Sequence, residues 1–152
     1  MQARMARAFT LVEMVMVIVV IAIIAAVVIP LWPGKGMELS AQTSRLATDI
    51  RYTQHLATTR GLRYQLLRVN STSYQIQSIE GTPQVIETVT LSPGLTLNAF
   101  TNNLIAFGTN GAPYTTATIP GTALSSVLTI QLTDGSNTES ITVTPETGMV
   151  SG

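Results

Sequence analysis

An unbroken apolar run from Met14 to Ile29 is the strongest pattern in the chain. With the residues from Phe9 ahead of it, broken only by Thr10 and Glu13, it makes a stretch of 21 residues. As a helix this stretch measures about 31 Å, enough to cross a hydrocarbon core of about 30 Å. Arg4 and Arg7 precede it, while only Lys35 follows closely. The positive-inside bias therefore puts the N-terminus in the cytoplasm and the rest of the chain outside. Trp32, just beyond the run, suits the headgroup layer. A cleaved secretory signal would have a shorter core and a small-x-small site, where this chain has Ile29-Pro-Leu-Trp-Pro33.

Pro30, Pro33, Gly34 and Gly36 crowd the exit from the run and predict a kink or a short unwound stretch. Helix periodicity resumes over residues 37–59 and stops at Gly61. Leu39, Leu46, Ala47, Ile50 and Ala57 fall on one stripe, with Tyr52 and Leu56 at its margins. Such a stripe lies on a sheet. From Leu62 onward the chain is rich in Thr, Val, Ile and Tyr, which predicts strands over 62–69, 73–79, 84–91, 104–107, 127–133 and 139–144. Asp134-Gly135 marks a hairpin between the last two. There Leu128, Ile130 and Leu132 share one face, matched by Ile141 and Val143. The fold class is α+β: a long N-terminal helix, half transmembrane and half amphipathic, packed on antiparallel sheet.

Composition adds exclusions. Of 152 residues 45% are hydrophobic and only 11% charged, with no Cys and one His. That leaves no disulfide framework, no thiolate metal site and no His cluster. His55 lies on the helix with no acid fixed beside it by spacing, so it reads as a solvated or sheet-packed His. Asp134 stands in a turn without the spaced carboxylates of a calcium loop. Asn70-Ser-Thr reads as a plain turn rather than a glycosylation acceptor. No phosphate loop, metal-ligand spacing or nucleophile with a base occurs, so neither an enzyme nor a cofactor is expected.

The zero net charge conceals a polarity. Residues 35–68 hold six basic and two acidic residues, whereas residues 69–152 hold five acidic residues and no Lys or Arg. A basic neck thus precedes an acidic head. Arg45 and Arg51 on the neck are candidates for contact with acidic faces of neighbouring subunits.

Glu13 remains to be explained, because a carboxylate within a span is costly and commonly functional. Arg7-Ala-Phe-Thr-Leu-Val-Glu13 resembles the processing site of type IV prepilins and pseudopilins. The resemblance implies that a prepilin peptidase cuts between Ala8 and Phe9 and methylates the new amine of Phe9. Ala8 departs from the Gly usual there, and as the next smallest residue should still permit cleavage. Pro30 resembles the family's helix-interrupting Pro. Phe9, Glu13 and Pro30 are then the assembly residues, with Glu13 one helical turn from the freed amine. Residues 44–61 and the tail 128–150, with its closing Gly148-Met-Val150, resemble the GspH/FimT group of minor pseudopilins and minor pilins.

This resemblance implies a leader over 1–8, a transmembrane and assembly helix over 9–30, a kinked linker and amphipathic helix over 31–61, and a β-rich periplasmic head over 62–152. It implies a structural subunit that helps initiate or cap a type II secretion pseudopilus or a type IV pilus. Its partners are other pilins, the prepilin peptidase and an inner-membrane assembly platform. One alternative is a FimT-like DNA-binding minor pilin, but the tail lacks the basic residues phosphate binding requires. Nucleic acid is thereby disfavoured, with Arg60, Arg63 and Arg68 left as the only candidate contacts. Another is adhesion by the head, where 26 of 84 residues from Val69 are Ser or Thr.

Overall fold

The structure, a computed structural model, describes residues 10–28, 35–118 and 120–152, which divide into two units between Gly34 and Lys35. The first contains α1 (Leu11–Val28), 18 residues in which Glu13 alone is not apolar. At 1.5 Å per residue α1 is about 27 Å long. Among the described residues no helix is long and apolar enough to cross a membrane. The apolar stretch of the sequence also takes in Phe9 and Ile29, which lie outside those residues, as do Ala8, Pro30 and the kink expected after the run.

The second unit opens with α2 (Lys35–Arg60), two residues longer at its start and one at its end than the periodicity predicts. Gly61 stops it. Its φ of +65° is left-handed, and its N–H bonds back to the Ala57 carbonyl at 3.1 Å, a Gly cap open to few other residues. Leu39, Leu46, Ala47, Ile50 and Ala57 are all buried, each large side chain contributing about 1.5–3 kcal/mol. The two marginal positions part company, with Leu56 buried and Tyr52 40% exposed. Thr43 and Thr53, unexpected in a core, complete the buried stripe. Thr53 is tolerated because its hydroxyl donates to the Asp49 carbonyl one turn back, at 2.7 Å.

Nine strands follow among the described residues. They are β1 (Tyr64–Asn70), β2 (Ser73–Ser78), β3 (Gln84–Thr90), β4 (Thr96–Leu97), β5 (Leu104–Phe107), β6 (Pro113–Tyr114), β7 (Leu128–Thr133), β8 (Thr138–Val143) and β9 (Val150–Ser151). All pair antiparallel, in one sheet of order β3-β2-β1-β5-β6 and another of order β4-β7-β8-β9. In the final hairpin Leu128 faces Val143 and Ile130 faces Ile141, as the alternation requires. Its loop is four residues rather than two, because the Asp134 carboxylate folds it: Oδ1 accepts from the backbone N–H of Ser136 and of Asn137. The helix α2 touches β1 and β5 of the first sheet and β7, β8 and β9 of the second. One continuous core results, with side chains from the helix and both sheets.

Polar contacts fix the helix in place. The hydroxyl of Tyr74, on β2 and fully buried, donates to Asp49 Oδ2 at 2.6 Å. Arg45 lies 3.9 Å from Asp49 and 3.5 Å from Glu87 on β3. On the other side, Arg51 Nη2 donates to the Val150 carbonyl at 2.9 Å, and Gln54 Nε2 donates to the carbonyls of Gly111 and Thr147, each at 2.8 Å. At the helix start Ser92 donates to Glu38, holding that carboxyl below the usual range, and Gln42 adds a second bond.

Burial raises the pKa of Asp49, and the Glu87 charge adds to this, while the bond from Tyr74 and the Arg45 charge oppose it. A carboxyl raised on folding binds protons more readily in the native state. Its contribution to stability therefore falls as pH rises from its unfolded pKa through its folded one. Tyr74→Phe removes the donor that favours the charged form. We expect it to cost about 1–3 kcal/mol at pH 7 and less in acid, as Asp49 takes up a proton. Urea unfolding of the full-length protein in detergent at pH 7 and pH 4 tests this, and equal losses at the two would refute it.

Gly148 is tightly constrained as well. Its φ is +66°, and a Cβ there would lie 2.7 Å from Gln54 Nε2 and 2.9 Å from the Phe107 ring. Gly148→Ala is expected to cost about 1–3 kcal/mol by strain and crowding, read from the same unfolding curves. Wild-type stability would show that the Gln54 bracket does not need this close approach.

Candidate functional site

The sequence makes Glu13 the most informative polar residue, and its local setting is a helix start. Thr10 caps α1: its Oγ1 accepts from the Glu13 N–H at 3.2 Å, and its carbonyl accepts from the Met14 N–H at 3.2 Å. Thr10-x-x-Glu13 has the spacing of a capping box, a signal legible in the sequence that the motif reading alone passes over. Glu13 thus occupies the first turn, where the helix dipole favours a carboxylate and where insertion costs less than at mid-membrane. Its side chain is exposed.

The sides of α1 carry no polar stripe. Successive residues Leu11, Val12, Met14, Val15, Met16, Val17 and Ile18 are between 47% and 79% exposed within this chain, and they point in every direction around the helix. A helix apolar all round is stable only when lipid or other helices surround it. The acid at one end and the uniform apolar sides together define a segment built for an apolar environment with one charged point of reference.

The remaining candidates fall into three groups. Ala8, Phe9 and Pro30 lie outside the described residues. Arg45 and Arg51 are engaged within the chain, through Asp49 and Glu87 and through the Val150 carbonyl, while Arg45 keeps 48% of its side chain exposed. Part of the attraction between basic neck and acidic head is therefore intramolecular. Arg60, Arg63 and Arg68 do not come together as a patch. Arg60 is exposed at the end of α2, within 3.4 Å of the Tyr64 hydroxyl. Arg63 is only 8% exposed. Arg68 donates from Nε to the Leu97 carbonyl at 3.0 Å, five residues from Arg63 and so about 16 Å along the strand direction.

His55 is exposed, its ring 3.4–3.5 Å from the Thr59 hydroxyl. Asn70 folds its own turn, its Oδ1 accepting from the Thr72 N–H and hydroxyl. Among the described residues no three His, Cys, Asp or Glu gather as metal ligands.

Comparison with known proteins adds two findings. Residues 3–29 match the prokaryotic N-terminal methylation motif. The fold is similar to that of the type IV minor pilin FimU of Pseudomonas aeruginosa in two crystal forms. One aligns with a TM-score of 0.57 at 10% identity over 74% of this chain and 90% of that one. The other aligns with a TM-score of 0.59 at 11% identity over 77% and 89%. No curated protein sequence matches. The chain thus carries an N-terminal methylation motif ahead of an α+β head whose fold is similar to that of a minor pilin.

Proposed function

We propose that this protein is a minor pilin or pseudopilin, a non-enzymatic subunit that helps initiate or cap a type IV pilus or a type II secretion pseudopilus. The observation that carries the reading is α1, exposed and apolar on all sides with one carboxylate in its first turn, inside a methylation motif. On this reading the helix is first held in the inner membrane, with the leader in the cytoplasm and the head in the periplasm. Prepilin peptidase cuts between Ala8 and Phe9 and methylates Phe9. The assembly platform then draws the helix into a bundle of like helices.

Cleavage supplies Glu13 with a partner. The new amine at Phe9 is cationic and four residues upstream, and in a bundle the amine of an adjacent subunit comes within reach as well. Opposite charges 4 Å apart attract by about 4 kcal/mol at an effective dielectric constant of 20. That is enough to penalise a subunit seated one turn out of register, so the pair acts as a docking signal. The minor-pilin fold of the head is consistent with a place on the outside of such a filament.

A DNA-binding role has less support, because Arg63 is buried and Arg68 is turned to Leu97. Adhesion by the Ser- and Thr-rich head has no specific observation in its favour.

Glu13→Val is expected to insert in the membrane at the wild-type level yet be absent from sheared filaments. Mass spectrometry of the same fractions should find wild-type protein beginning at methylated Phe9. Assembled protein that retains residues 1–8, or wild-type amounts of the variant in filaments, would overturn the proposal.

A further inference from the structure

At one end of the first sheet a cavity of about 380 Å³ opens among Arg63, Glu80, Thr109, Asn110, Tyr114 and Gly121. Its volume falls in the range of small-molecule sites. Arg63 stands just before β1, 92% buried, and is held firmly. Its backbone N–H donates to Glu80 Oε1 at 3.1 Å, its Nη1 donates to the Thr118 carbonyl at 2.6 Å, and its guanidinium stacks 4.5 Å from the centre of the Tyr114 ring. Yet Nε and Nη2 are buried with no hydrogen-bond partner. A charged group that is buried and half unsatisfied is expensive, and such groups call for an explanation.

The chemistry of the orphaned atoms is specific. Nε and Nη2 lie on one edge of the planar guanidinium and present two parallel N–H bonds, the fork that matches a carboxylate. Gly121 packs close against this edge. A Cβ on it would lie 2.4 Å from Nη2 and 3.0 Å from the Tyr114 ring, so any larger residue would displace the guanidinium. Glu80, on the same cavity, works against a bare dianion such as phosphate. It favours a ligand that carries a hydrogen-bond donor beside its carboxylate. Asn110 and Thr109 offer further polar contact at the rim.

We propose that this cavity is a binding site for a carboxylate flanked by an N–H donor, with Arg63 taking the carboxylate and Glu80 the donor. A free amino acid has this chemistry, and so does the C-terminal residue of a polypeptide. The site is independent of the assembly role of α1, and its test leaves that role untouched.

The test is an NMR titration of the full-length protein in detergent, reading the Arg63 Nε–H resonance. The probes are glycine, N-acetylglycine and inorganic phosphate, against sodium chloride at equal ionic strength and pH 7. We expect a saturable shift with glycine or N-acetylglycine and none with phosphate or chloride. A response to glycine alone identifies a free amino acid, and a response to N-acetylglycine identifies a chain terminus. Gly121→Ala should abolish the response while the amide spectrum of the head stays folded, and Glu80→Gln should weaken binding several-fold. No saturable shift with either carboxylate, an equal response to phosphate, or full binding by folded Gly121→Ala would each overturn the proposal.

Discussion

The two sheets of the head share no strand, and they are joined chiefly by lying against the same helix. The seating of α2 is thus the constraint on which the rest depends. Its stripe from Leu39 to Ala57 enters a core that takes side chains from both sheets, so each layer is completed only when the helix is down. Burial alone is non-directional and would tolerate some sliding of the helix. The bonds from Tyr74 to Asp49, from Arg51 to Val150 and from Gln54 to Gly111 and Thr147 specify one position along the helix axis. From residues 49 to 54 they reach the first sheet, the second sheet and two adjoining loops, so a one-turn shift would break them together. Their specificity is bought partly with the desolvation of Asp49, whose side chain is only 14% exposed and lies against Tyr74.

The same seating changes the meaning of the charge polarity. A basic neck and an acidic head suggest intermolecular docking when read along the chain. Folded, the chain brings Arg45 against Glu87 and so spends part of the complementarity on itself. What is left for neighbours is the exposed surface of Arg45, Arg51 and Arg60 together with the acids of the head that α2 does not reach. Exposed pairs of this kind are weak and salt-sensitive, so they tune orientation more than affinity.

Elements with long patterns were legible in the sequence. The Thr-Ile-Gln-Leu alternation about Asp134-Gly135 predicts its hairpin and both buried faces, because a period of two repeated over six residues leaves no other register. The strands β4, β6 and β9 have two residues each, too few for any period, and depend on a partner strand for their conformation. Thr43 and Thr53 are polar in any hydropathy count, and only the helix geometry places them inward. Arg63 is the largest surprise. Its burial is produced by a loop some fifty residues away, closing over it through Thr118 and Gly121, and nothing local to Gly61-Leu-Arg63 signals it. The cap on α1 was legible as Thr10-x-x-Glu13, but a residue read for its role in one motif is easily passed over in another.

The apolar sides of α1 set a thermodynamic problem of their own. Lipid tails are as apolar as Leu, so moving such a helix from a bilayer into a bundle of like helices gains little hydrophobic free energy. For the assembly proposed above, burial therefore holds the subunit in either place without choosing between them or fixing depth. The choice must come from interactions that differ between lipid and bundle: close packing of side chains, and a charge that finds its opposite only beside another subunit. Glu13 is the one charged residue of α1, and it sits in the first turn rather than the middle. There its cost in the membrane is moderated by the helix dipole and nearby water. In a bundle it would lie at the level of the amines freed by cleavage. On that proposal a carboxylate in this position would cost the membrane-bound subunit little, and it would become favourable once the leader is gone and a neighbour is in register.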